Sequence, residues 1–181
     1  MSLTVFRVLL AATTLGLVLS GCGLIQRAAD GGSSIAHGLF YKQVKVLHLD
    51  FSARAALNTD TTDMSALSVS TLVRVYQLKD RKTLDTADYQ SLLSNGSSAL
   101  AADLLDERQV LVKPEEGVQL NVPMSGDAQF VAVVALFRSP DTQKGNWRLV
   151  LARDELDPDR PRVIEMGDNM LNLVPMPKQD S

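Results

Sequence analysis

Apolar and polar residues alternate with a period of two through much of the chain beyond residue 45. Leu47, Leu49, Phe51 and Ala53 take turns with His48, Asp50, Ser52 and Arg54, the pattern of a strand with one face buried and the other in water. The run Asn58-Thr59-Asp60-Thr61-Thr62-Asp63 is too polar for a core and rich in turn formers, so it predicts a loop. Residues 69–78 predict a second strand, with Thr71, Val73 and Val75 on one face and Leu72, Tyr76 and Leu78 on the other.

The period then changes. After a solvated turn at Asp80-Arg81-Lys82, residues 86–93 predict a short helix, capped by Asp85 or Thr86 and closed by Asn95-Gly96. Leu100, Leu104 and Leu105 extend helical spacing over residues 97–105, so a helical insertion at about 83–105 separates the second strand from the third. Strands follow over residues 109–113, 118–122, 129–138, 147–152, 163–166 and 170–174, with turn formers between them. The run from Phe130 to Phe137 is apolar on both faces and predicts a central strand. Eight short strands with turns at close intervals predict a mainly β fold, an antiparallel β-sandwich.

The N-terminal region follows a different rule. Arg7 precedes an apolar run over residues 8–19, and Ser20-Gly21-Cys22 closes it. A positive start, an apolar segment of about a dozen residues and small residues before a cut site describe a secretory signal. A spanning helix needs roughly 20 apolar residues. The stretch Leu19-Ser20-Gly21-Cys22 resembles the lipobox of a bacterial lipoprotein. It implies removal of residues 1–21, a diacylglyceryl thioether on Cys22 and acylation of the new amino group. Residues 22–40 are poor in bulky apolar side chains, contain Asp30-Gly31-Gly32-Ser33-Ser34, and predict a flexible tether ahead of a folded domain at 41–181.

Cleavage at that point leaves 160 residues, enough for one sizeable core, with 17 basic against 21 acidic side chains. That balance offers no electrostatic footprint for nucleic acid and no polybasic hold on lipid, so membrane attachment falls to the acyl chains. Cys22 is the only cysteine, and its lipidation would leave no disulfide and no thiolate nucleophile.

Little else points to chemistry. His37 and His48 lack partners at metal-ligand spacing, and no H-E-x-x-H, G-x-S-x-G, Walker or dinucleotide motif occurs. Asp154, Glu155, Asp157 and Asp159 lack the alternation of a calcium loop and are flanked by Arg153, Arg160 and Arg162, which predicts a charge-balanced turn. Trp147 predicts packing, and the sequon Asn95-Gly96-Ser97 predicts a turn. No catalytic residue, metal or cofactor is expected.

Leu72-Val73-Arg74-Val75-Tyr76-Gln77-Leu78, then Ala87-Asp88-Tyr89 with Leu92-Leu93, resemble the outer-membrane lipoproteins of type VI secretion systems, the TssJ family. Val133 to Arg138 and Trp147-Arg148 continue the resemblance, which spans about residues 45–174. The resemblance implies two four-stranded sheets arranged as in transthyretin, an outer-membrane anchor and a domain on the periplasmic face. It implies as partner the periplasmic C-terminal region of a TssM-like inner-membrane protein. It places the contact on the loop between the first two strands, residues 55–68 here, with Asn58, Thr59, Asp60, Thr61, Thr62, Asp63, Met64 and Leu67 as candidate contacts. Met64 and Leu67 are apolar in a polar loop and stand out as anchors. Alternatively, Leu67 begins the core face of the second strand. Gly23 and Leu24, where an aspartate would favour inner-membrane retention, imply sorting to the outer membrane. A second reading is a small-molecule-binding periplasmic lipoprotein with a cavity between its sheets.

Overall fold

The computed structural model describes residues 43–60 and 67–177. The signal segment, Cys22, the tether and His37 lie outside the described residues, as do Thr61, Thr62, Asp63 and Met64.

The eight strands are β1 (Val46–Ala53), β2 (Thr71–Leu78), β3 (Leu104–Val112), β4 (Gly117–Pro123), β5 (Phe130–Ala135), β6 (Arg148–Ala152), β7 (Arg162–Gly167) and β8 (Met170–Leu173). They form two four-stranded sheets, in the orders β4-β1-β7-β8 and β3-β2-β5-β6. The expected sandwich is therefore present. Its pairings are antiparallel except for one: β1 runs parallel to β7, with Phe51 opposite Ile164.

Alternation explains the core. Leu47, Leu49 and Phe51 point inward from β1 and are buried, while His48 faces out and shares a hydrogen bond with Asn121 of β4 at 2.5 Å. Ile164 and Met166 of β7 share that interior with Val73 and Val75 of β2, Val131 and Val133 of β5 and Leu151 of β6. Each large apolar side chain sealed here contributes about 1.5–3 kcal/mol relative to exposure.

Two helices, α1 (Lys82–Thr86) and α2 (Tyr89–Ala99), cross the outer face of the β3-β2-β5-β6 sheet. Arg74 donates to the Leu92 carbonyl at 2.6 Å, and Arg148 donates to the carbonyls of Leu84 and Ala87. This cover is why β5 is apolar on both sides: one face meets the opposite sheet and the other meets the helices.

The insertion departs from expectation at both ends. Asp88, not Asp85 or Thr86, caps α2 by accepting the Ser91 N–H at 2.7 Å. Residues 82–86 are helical because Asp80 accepts the N–H groups of Arg81 and Lys82, and Asp103 accepts from Thr83 N–H and hydroxyl. Asn95 leaves helical geometry as foreseen, but the helix resumes through Ala99. Leu104 and Leu105 then begin β3 instead of continuing a helix. The ladder to β2, from Leu78 opposite Leu104 to Thr71 opposite Val112, overrides their local spacing.

Candidate functional site

The described limbs of the β1–β2 loop, up to residue 60 and from residue 67, are anchored to the sandwich. Leu57 is fully buried. Asn58 adopts φ 52°, a left-handed conformation that asparagine tolerates better than most residues. Its buried side chain donates to the Ser70 carbonyl at 3.3 Å and accepts the Arg138 N–H at 2.7 Å. Val69 N–H returns to the Leu57 carbonyl at 3.2 Å, and the Ser68 hydroxyl donates to the Ala55 carbonyl at 2.5 Å. These bonds draw the two limbs of the loop into a neck.

The neck also rests on the β7–β8 hairpin. Asp168 and Asn169 have φ of 49° and 59°, the paired positive values of a tight two-residue hairpin turn. Asp168 N–H donates to the Ala56 carbonyl at 2.8 Å, and the Asn169 side chain donates to the Thr59 carbonyl at 2.8 Å. Three connections therefore meet at one end of the sandwich: β1–β2, β5–β6 and β7–β8.

Asp60 and Leu67 are the described residues on either side of positions 61–66. Asp60 lies 3.8 Å from the Arg138 guanidinium, a surface ion pair of at most about 1 kcal/mol. Leu67 is 63% exposed and lies outside β2, so it does not begin that strand's core face. Of the candidate contacts, Asn58 is internal scaffolding, Thr59 contributes a carbonyl to the hairpin, and Asp60 and Leu67 reach the surface.

Beyond Arg138 the surface opens into a cleft of about 900 Å³ between the start of α2 and the β5–β6 connection. Tyr89, Leu93, Phe137, Lys144 and Trp147 are among its lining residues. Trp147 is buried, with its ring edge-on to Tyr89 at 5.0 Å and the Arg148 guanidinium 5.1 Å from its centroid. The Tyr89 hydroxyl donates to the Phe137 carbonyl at 2.5 Å, and burial pushes its pKa up to about 12. This cleft lies on the helix side of one sheet, a different place from the inter-sheet cavity that a transthyretin-like ligand reading requires.

The remaining candidates serve the fold. Glu155 accepts the Ala152 N–H, and Asp157 binds Asp159 N–H and the Arg160 side chain, so both carboxylates organise their own turn. Among the described residues no group of three or more His, Cys, Asp and Glu is placed to hold a metal. Sequence reasoning missed Arg138 and Asn169 as partners of the loop. The Gly167-Asp168-Asn169 turn was legible, but nothing local shows which loop it touches.

A model of the family described as type VI secretion lipoprotein, VasD, EvfM, TssJ matches residues 45–169. A chain in a solved structure described as the T6SS protein TssM C-terminal domain (869–1107) from EAEC is 41% identical, with 74% of this chain and 100% of that one covered, at a TM-score of 0.67. A chain in a structure described as a type VI membrane complex is 44% identical over 74% and 100% of the two chains, with a TM-score of 0.69. Serratia marcescens Lip, a membrane-bound component of the type VI secretion system, is 24% identical over 72% and 98%, with a TM-score of 0.62, and shows the shared fold. No curated protein matches the chain.

Proposed function

The chain belongs to the type VI secretion lipoprotein family, and on that premise we propose that it is a non-catalytic link between two membranes. Acyl chains on Cys22 hold it in the outer membrane. The sandwich, at the periplasmic end of the 22–40 tether, binds the C-terminal region of a TssM-like inner-membrane protein.

One observation carries this reading: the 41% identity to a chain in the structure described by the TssM C-terminal domain. That matched chain is wholly covered by 74% of the present 181 residues. It is therefore shorter than a segment numbered 869–1107 and accompanies the TssM domain rather than being it.

The parts divide the work. Each buried CH₂ contributes about 0.8 kcal/mol, so two or three acyl chains give durable anchorage where one is marginal. Tethering raises the effective concentration of the domain near its partner, so a modest contact suffices. Asn58 and the Thr59 carbonyl hold the loop's neck, while Asp60, Thr61, Thr62, Asp63, Met64 and Leu67 form the contact. Met64 and Leu67 supply apolar anchors.

Replacing residues 61–67 by a Gly/Ser stretch of equal length tests the loop. Affinity of the purified domain for the TssM-like region should fall more than tenfold while thermal melting stays unchanged. Full retention of affinity sinks the loop assignment, and failure of the unaltered domain to bind sinks the partner. The replacement spares Leu57 and Asn58, whose loss would disturb the fold.

A further inference from the structure

β1 begins where the chain enters the sandwich and ends where the β1–β2 loop leaves it. Its entry is clipped, since Arg153 donates to the Val44 carbonyl at 2.9 Å and Met124 N–H to the Lys45 carbonyl at 2.8 Å. Its exit is held by the neck, where Val69 N–H meets the Leu57 carbonyl and Asn58 bonds to Ser70 and Arg138. Eight extended residues at about 3.3 Å each set these two ends roughly 26 Å apart. An anchor at Cys22 and a partner holding Asp60 therefore pull on opposite ends of one strand.

Both strands that flank the loop are interior. β1 lies between β4 and β7, and β2, which receives the returning limb, lies between β3 and β5. Ladder hydrogen bonds run across the strands, perpendicular in antiparallel pairs and slanted in parallel ones. A pull along an interior strand loads the bonds on both flanks together, in shear, whereas a pull on an edge strand breaks them one after another. The C-terminal end of the domain has the weaker position. β7 runs parallel to β1, the edge strand β8 folds back along it, and Val174 N–H meets the Val163 carbonyl near the start of β7. That end leaves from an edge strand, on the side where the chain enters.

Force favours an open state in proportion to the length that opening releases. From Gln43 to Asp60 the chain has 17 steps, about 60 Å at full extension, of which β1 already supplies roughly 26 Å. From Gln43 to Pro177 it has 134 steps, about 450 Å at full extension. We infer that β1 is the tie that carries tension between the two membranes, placed so that a pull from anchor to partner straightens a few loop residues and leaves the sandwich shut. The inference rests on the functional reading above, which supplies the anchor and the partner loop.

Optical tweezers test it on the non-lipidated chain from residue 22, with one handle on Cys22, the only native cysteine. The second handle goes on Asp60→Cys in one variant and on Ser181→Cys in another, each first matched to the parent by its melting curve. Molecules held at positions 22 and 60 should stretch and relax along one curve. At the same forces, molecules held at positions 22 and 181 should open, release about 450 Å and refold with hysteresis. Hysteresis in the first geometry at forces no higher than in the second overturns the tie and leaves the loop reading intact. Failure of the unaltered domain to bind the TssM-like region removes the link itself, and the tie falls with it.

Discussion

The side chain of Asn58 accepts the backbone N–H of Arg138 at 2.7 Å, bonding two connections 80 positions apart in the chain. The same side chain donates to the Ser70 carbonyl, so one amide closes the loop neck and ties it to the end of β5. Asn58→Ala leaves the Arg138 N–H without its acceptor and puts a residue with a Cβ and no local hydrogen bond at φ 52°. An unsatisfied buried donor costs about 1–3 kcal/mol, and a left-handed alanine roughly 1–2 kcal/mol more. Urea unfolding should show a loss of about 2–5 kcal/mol, the sum of those two penalties. Asn58→Gly should lose less, because only the hydrogen bonds go.

Gly96 sits where α2 crosses β2. A Cβ there would overlap the Tyr76 hydroxyl and stand 3.2 Å from Arg74 Nη1. Alanine improves helix propensity by about 1 kcal/mol, yet overpacking costs roughly 1–3 kcal/mol. Gly96→Ala should therefore destabilise the domain, and Tyr76→Phe in the same chain should recover part of the loss. Strictly additive effects in this double-mutant cycle would contradict the crossing geometry.

Burial raises the Tyr89 pKa to about 12, against an ordinary tyrosine value near 10. Between those values the folded state holds a proton that the unfolded state has released, so stability falls as pH rises. Below pH 10 the contribution is complete, and it is lost through the folded-state pKa. Tyr76 is shifted the same way, with burial the largest cause, and adds to the decline. Unfolding free energies measured from pH 9 to 12 should drop more steeply for the unaltered protein than for Tyr89→Phe. Parallel profiles would show that Tyr89 ionises alike in both states.

Arg153 spreads one guanidinium over four carbonyls, those of Ser125, Gly126 and Ala128 through Nη1 and that of Val44 through Nη2. The start of the first strand is thereby clipped to the β4–β5 connection. Lysine has a compact ammonium with no planar fork and cannot reproduce this set. Arg153→Lys should lower the melting temperature and speed amide exchange around Val44, with partner affinity unchanged.

Cys22→Ser removes the sulfur on which the proposed anchor depends. The full-length variant should move from the membrane to the soluble periplasmic fraction and fail to support secretion. The isolated domain's affinity for its partner should not change. Membrane retention of the variant would show that something other than acyl chains holds the protein.

Much of the architecture was legible before any coordinates, because a half-buried strand leaves a period-two signature. Leu47, Leu49 and Phe51 face the core as their alternation demands, and the double-sided apolar run at Phe130 did mark a central strand. The insertion was legible as helix, but its end was not. Leu104 and Leu105 have helical spacing with Leu100, and only pairing with β2 decides that they are extended.

The chain alone therefore determined the strands, the presence of the helices and the polar connection between the first two strands. Tertiary structure decided which strands share a sheet, that β1 runs beside β7 in parallel, and that Asn58, Arg138 and Asn169 meet. The reason is the range of the forces involved. Side-chain periodicity and turn chemistry act over a few residues and leave their record in local order. The loop contacts join groups 80 and 110 positions apart and β1 pairs with β7 across 113, and such meetings follow from how two faces close over a shared core.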